Sequence, residues 1–137
     1  MKMQTITTVA LVLATAYLVS CNNSGGHSHE QMVIELNNGQ KWLVNDEMSP
    51  YILAAEKVLN DYNGDDYETL ADELESQNKK LINSCTMDGK AHDELHKWLH
   101  PHMQLIESLG DAENMAQANT IIEQLKESFN TYHTYFQ

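Results

Sequence analysis

The sequence predicts an all-α protein, an up-down-up-down four-helix bundle preceded by a small β-hairpin. Three observations lead there. From Met48 onward, apolar residues recur at steps of three and four in four successive segments, the period of an amphipathic helix. The breaks between these segments are short and rich in Gly, Asn and Asp, so consecutive helices must turn back as antiparallel neighbours. Ahead of them, two short alternating runs flank Asn37-Asn38-Gly39, a tight-turn signal.

In chain order, residues 1–20 read as an export signal. Lys2 supplies a short positive start, and the uncharged apolar run from Thr8 to Val19 is too short to span a bilayer. The run ends in Leu18-Val19-Ser20-Cys21, a tetrapeptide that resembles the lipobox of bacterial lipoproteins. That resemblance implies cleavage before Cys21, a diacylglycerol on its thiol and acylation of the new amine. Several acyl chains make a stable membrane anchor where one would be marginal. Asn22 after the cysteine, by similarity to enterobacterial lipoproteins, implies the outer membrane, facing the periplasm. Residues 21–30 are polar and glycine-containing and read as a flexible tether; His27 and His29 within it read as solvated.

Residues 31–45 hold the expected hairpin, which must lean on the main body because a lone hairpin is only marginally stable. Residues 46–137 form the bundle. In the first segment Met48, Tyr51, Ile52, Ala55, Val58, Leu59 and Tyr62 share a face; Asn45 or Ser49 can cap it, and Pro50 suits an early helical position. The second segment carries Tyr67, Leu70, Ala71, Leu74, Leu81 and Cys85 as a stripe interrupted by Gln77 and Asn78. The third carries His92, Leu95, His96, Leu99, Met103, Ile106 and Leu109, and Pro101 inside it predicts a kink or a short break. Gly110 is a good helix terminator, and Asp111 is placed to cap the fourth segment, with its stripe from Met115 to Phe136.

Composition narrows the function. The chain has 137 residues, 20 acidic and 8 basic side chains, and a net charge of −12. Every basic residue is lysine. Such a surface repels nucleic acid, and with no arginine a bidentate clamp on phosphate cannot be built. The length suits one domain.

Reflecting each helix about its turn brings Met48, Cys85, Met87, His92, His96 and His133 toward one end of the bundle, beside the hairpin and tether. The chemistry of that set is soft and imidazole-like. Thioether and thiolate suit Cu(I), and imidazole suits copper, zinc or iron. His92 and His96 are four residues apart, so one helical face can present both to one ion. Cys85 is the one thiol left if Cys21 carries lipid. The candidate metal ligands are therefore Cys85, Met87, His92 and His96, with copper the best fit and zinc next. His100 continues the row toward solvent, and His102 is expected on the surface.

Two resemblances add to this reading. The run Glu123-Gln124-Leu125-Lys126, Asn130, Tyr132-His133 and Tyr135 resembles the C-terminal helix of cytochrome b562. That resemblance implies His133 and Met48 as axial ligands of a haem b used in electron transfer. The absence of arginine departs from that family, and the absence of Cys-x-x-Cys-His excludes covalent haem attachment. The stretch from Cys85 through His92 and His96 to Leu99, with the Asn-Asn-Gly-Gln-Lys-Trp turn, is similar to small exported helical lipoproteins of Bacteroidota.

The expected function is a lipid-anchored, non-enzymatic binding protein of the bacterial cell envelope, holding haem b or a transition metal at one end of a bundle. The alternative is a structural or protein-interaction lipoprotein with an envelope protein partner and no cofactor, using Trp42, Trp98 and the hairpin as its face. Enzyme signals are weak: His92-Asp93-Glu94-Leu95-His96 has the histidine spacing of zinc proteases, but Asp93 stands where those need glutamate.

Overall fold

The computed structural model describes residues 33–137 other than residue 65. The expected export signal, Cys21 as the expected lipid acceptor, and the expected tether with His27 and His29 lie outside the described residues. Four helices follow one another: α1 (Ser49–Asp61), α2 (Tyr67–Asn83), α3 (Gly89–Gly110) and α4 (Met115–Tyr135). Each packs on the next, and α1 meets α4 to close the set, as an up-down bundle requires. No helix among the described residues is long and apolar enough to cross a membrane.

The core follows the apolar stripes. Ile52, Ala55 and Leu59 of α1 are buried, as are Leu70, Leu74 and Leu81 of α2, Leu95, Leu99, Ile106 and Leu109 of α3, and Ile122, Leu125 and Phe129 of α4. Each leucine taken fully out of water contributes roughly 1.5–3 kcal/mol. The caps then fix where the stripes begin. Asp66 accepts from the Thr69 amide at 3.0 Å to start α2, and Asn114 does the same for Gln117 at 3.0 Å to start α4. The α4 cap is therefore Asn114, while Asp111 closes the C-terminus of α3. Met48, rather than Asn45 or Ser49, precedes α1, and no side chain caps that helix.

The later start of α4 shifts the register of the α3–α4 pair. The Trp98 indole donates to the Ser128 carbonyl at 2.8 Å, so the two helices fold back about Glu113, not Gly110. Pro101 does not break α3, which is helical from Gly89 to Gly110. A proline costs a helix interior about 3 kcal/mol. The buried side chains on either side of it, Trp98, Leu99, His102 and Ile106, offset that cost.

The hairpin is replaced by something else. Its turn forms: the Asn37 amide donates to the Gln40 carbonyl at 2.8 Å and the reverse bond is 3.0 Å. Asn38 and Gly39 both take positive φ, 51° and 84°, as a two-residue turn of this hand needs. The ladder stops there. The second arm pairs in parallel with the C-terminus: the Trp42 amide donates to the Tyr135 carbonyl at 2.8 Å, Gln137 to Trp42 at 2.9 Å, and Val44 to Gln137 at 2.9 Å. The first arm is held by α3 instead, the Glu35 amide donating to the Glu94 carboxylate at 2.9 Å and the Lys97 ammonium to the Val33 carbonyl at 3.0 Å. The reason is burial. Trp42 and Val44 sink into the bundle when they pair with the tail, and a two-stranded hairpin alone would leave them wet.

Asn45 ties this segment to the link before α3, donating to the Ser84 carbonyl at 3.3 Å and accepting from the Thr86 amide at 3.5 Å. The segment before α1, the α2–α3 link and the end of α4 thus meet at one end.

Candidate metal site on helix α3

Helix α3 sets histidines at positions 92, 96 and 100. Four residues advance a helix by slightly more than a turn, so the three rings form a row. His92 Nε2 lies 3.0 Å from His96 Nε2, and His96 Nδ1 lies 3.0 Å from His100 Nε2. The rings meet edge to face, with centroids 4.4 and 4.9 Å apart. Each neutral imidazole has one N–H and one lone pair, so the row can be hydrogen-bonded in either direction.

Electrostatics keep the middle ring neutral. Burial lowers the pKa of His96, and the neighbouring His92 and His100 lower it further, against a smaller opposing pull from Asp93. A neutral ring is the form that ligates metal. With metal–nitrogen bonds of about 2.0–2.1 Å, two nitrogens 3.0 Å apart subtend roughly a right angle. That suits adjacent positions on tetragonal Cu(II) or Ni(II) better than a tetrahedral ion.

The other candidate ligands are placed differently. Cys85 is a free thiol, and with Met87 it sits half-buried against the core in the link between α2 and α3. Among the described residues no three His, Cys, Asp or Glu side chains gather around one point that would hold an ion. The structure thus brings His92 together with His96, and does not gather Cys85 with them. Met48 is 1% exposed, in the core at the entry to α1. His133 is on the surface, with Nε2 2.9 and 3.0 Å from the two Glu56 carboxylate oxygens. Glu56 lies eight residues past Met48, or about 12 Å along a helix. The two residues of the expected haem pair therefore sit in separate surroundings.

No family model matches this chain. No curated protein and no solved structure matches it either.

The histidine misread from the sequence is His102. It is 1% exposed, not on the surface. Two residues past His100 is about 200° around the helix, so it points inward. Its Nδ1 lies 2.9 Å from the Ser128 hydroxyl, its ring stacks on Trp98 at 4.8 Å, and Phe129 meets it edge-on at 4.8 Å. Burial lowers its pKa to about 4, and Nε2 has no hydrogen-bond partner among the described residues. The pattern available in the sequence was the Trp98–His102 spacing of four, which continues the apolar stripe. Trp42 and Trp98 are likewise buried, so neither offers an interaction face.

Glu94, beside the row, is also buried. Desolvation works to raise its pKa, but the Lys97 ammonium at 2.8 Å, the Glu35 amide and the charge of Lys90 outweigh it and hold the carboxyl below its usual value. On the other flank, His100 borders a groove of about 540 Å³ between α2 and α3, lined by Asp72, Glu75 and Glu107, with Lys79 paired to Glu75 at 2.8 Å. The carboxylates of Asp72 and Glu107 leave this groove with a net negative lining, which can attract cations toward the outer end of the row.

Proposed function

We propose that this is a lipid-anchored, non-enzymatic metal-binding protein of the bacterial cell envelope, in which His92 and His96 chelate a transition metal, copper before zinc. The observation that carries the reading is the 3.0 Å separation of their Nε2 atoms on one helical face. The lowered pKa of His96, a net charge of −12 and the negative lining of the nearby groove all favour a cation over an anion. The anchor rests on Leu18-Val19-Ser20-Cys21, and the membrane is the partner it implies, through lipidated Cys21 at the outer membrane. Cys85 and Met87 are the soft donors closest in sequence, and reduction to Cu(I) would favour them.

The separate surroundings of Met48 and His133 favour a bare metal over haem. A second reading, a protein-interaction lipoprotein without a cofactor, is favoured by a different observation: Val33 and Leu43 are 75% and 72% exposed. Elemental analysis and a visible spectrum of protein purified without chelators test the choice. Copper near one equivalent or more, lost in His92→Ala/His96→Ala, supports the metal reading. A Soret band would support haem, and a colourless, metal-free protein that stays empty when titrated would leave the interaction reading.

A further inference from the structure

Resting on that metal-binding reading, we infer that His96 is a bridging ligand, and that the row His92–His96–His100 holds two divalent metal ions rather than one. The two nitrogens of His96 are both engaged, by different neighbours. Nε2 faces His92 Nε2 at 3.0 Å, and Nδ1 faces His100 Nε2 at 3.0 Å. The ring nitrogens of one imidazole point away from each other, so no single ion can use both. Each gap between rings is instead a separate two-nitrogen site of the same width, with His96 common to both.

The protons balance simply. A neutral imidazole carries one N–H, and in the hydrogen-bonded row one of the two end rings donates its own through Nε2. On loading, that ring releases its Nε2 proton to solvent and takes one up on Nδ1, so that His92 and His100 both carry N–H on Nδ1, away from the ions, and present Nε2 lone pairs. His96 gives up its single remaining proton to solvent and becomes imidazolate, one lone pair to each metal. The first ion promotes this step, because a cation on one nitrogen acidifies the N–H on the other. Water completes each coordination sphere. The charge of Asp93 reaches His96 and would favour a cation on it. The outer ion lies beside His100 at the edge of the α2–α3 groove. The class of ligand is thus a pair of tetragonal divalent ions, Cu(II) above all.

The test uses Cu(II) and the full-length chain carrying His27→Ala and His29→Ala, with its thiols alkylated so that they neither bind nor reduce copper. Circular dichroism checks that each variant keeps its helices. Calorimetry gives the stoichiometry, and electron paramagnetic resonance reports whether the spins interact. The expected result is two ions per chain. The first equivalent gives a full mononuclear signal, and the second lowers the integrated intensity as the bridged spins couple. His100→Ala should bind one ion and keep its full signal, whereas His96→Ala should lose both sites. One ion in the parent chain, or two with additive signals, overturns the bridge and leaves the His92–His96 chelate standing. No bound ion, or binding indifferent to His96→Ala, overturns both.

Discussion

Helix α3 carries histidines on two faces, and the comparison between them explains much of the molecule. His92, His96 and His100 form a partly wet row in which imidazoles face imidazoles. His102 sits on the opposite side, dry, held by one hydroxyl and walled by Trp98 and Phe129. Both surroundings favour the neutral ring, for different reasons. His102 is kept neutral by burial alone. His96 is kept neutral by burial together with the repulsion between neighbouring imidazolium charges. His96 therefore offers a lone pair to a ligand, and the inner ring, His102, offers its bulk to packing.

The contrast can be broken most forcefully from the inside. Trp98→Ala removes the wall on which His102 stacks and the donor to Ser128, and it should lower stability by about 3–5 kcal/mol, as large-to-small core changes do. Urea unfolding measures this. Water admitted by the same change should raise the His102 pKa from about 4 toward its ordinary value, which NMR titration follows. A neutral change in stability would mean that the inner face is not packed as described.

Acid should act next most strongly. The unfolded chain protonates His102 near its ordinary pKa of about 6.5, while the folded chain resists until about pH 4. Over that window the unfolded state binds more protons, so stability falls as pH falls. The loss approaches about 3 kcal/mol at about 1.4 kcal/mol for each pKa unit. In metal-free protein, His102→Leu should flatten the decline between pH 6.5 and 4, and His100→Ala should leave it in place. Equal slopes for all three proteins would remove His102 from the account.

The smallest effect belongs to the outer row. Without metal, His100→Ala, at the exposed end of the row, should change stability by no more than about 0.5 kcal/mol, the usual range for surface substitutions. A loss of several kcal/mol would make the row a structural element instead of a ligand-binding one.

Periodicity alone made the four helices readable, because each buries one apolar stripe. The misreadings came where choices were nearly balanced. Asp111 and Asn114 are both good caps, and only the packing of Trp98 against Ser128 decides between them. The hairpin turn was legible in Asn37-Asn38-Gly39. The partner of its second arm was not, because the C-terminal residues 135–137 carry no strand signal and pair only through burial of Trp42 and Phe136. For the site, the spacing of His92 and His96 located the pair. His100 followed from the same spacing, and the inward turn of His102 follows from its two-residue offset. The placing of His133 against Glu56 depends on how α1 and α4 meet, which local pattern does not encode.

The central claim is that the outer face of α3 binds a metal through His92 and His96. The most direct measurement is the thermal unfolding of the metal-free protein with and without Cu(II), alongside His92→Ala/His96→Ala. An ion at 100 times its dissociation constant stabilises a folded protein by about 2.7 kcal/mol. The account predicts a clear upward shift in Tm for the parent chain and none for the double variant. An equal shift in both, or none in either, would contradict it.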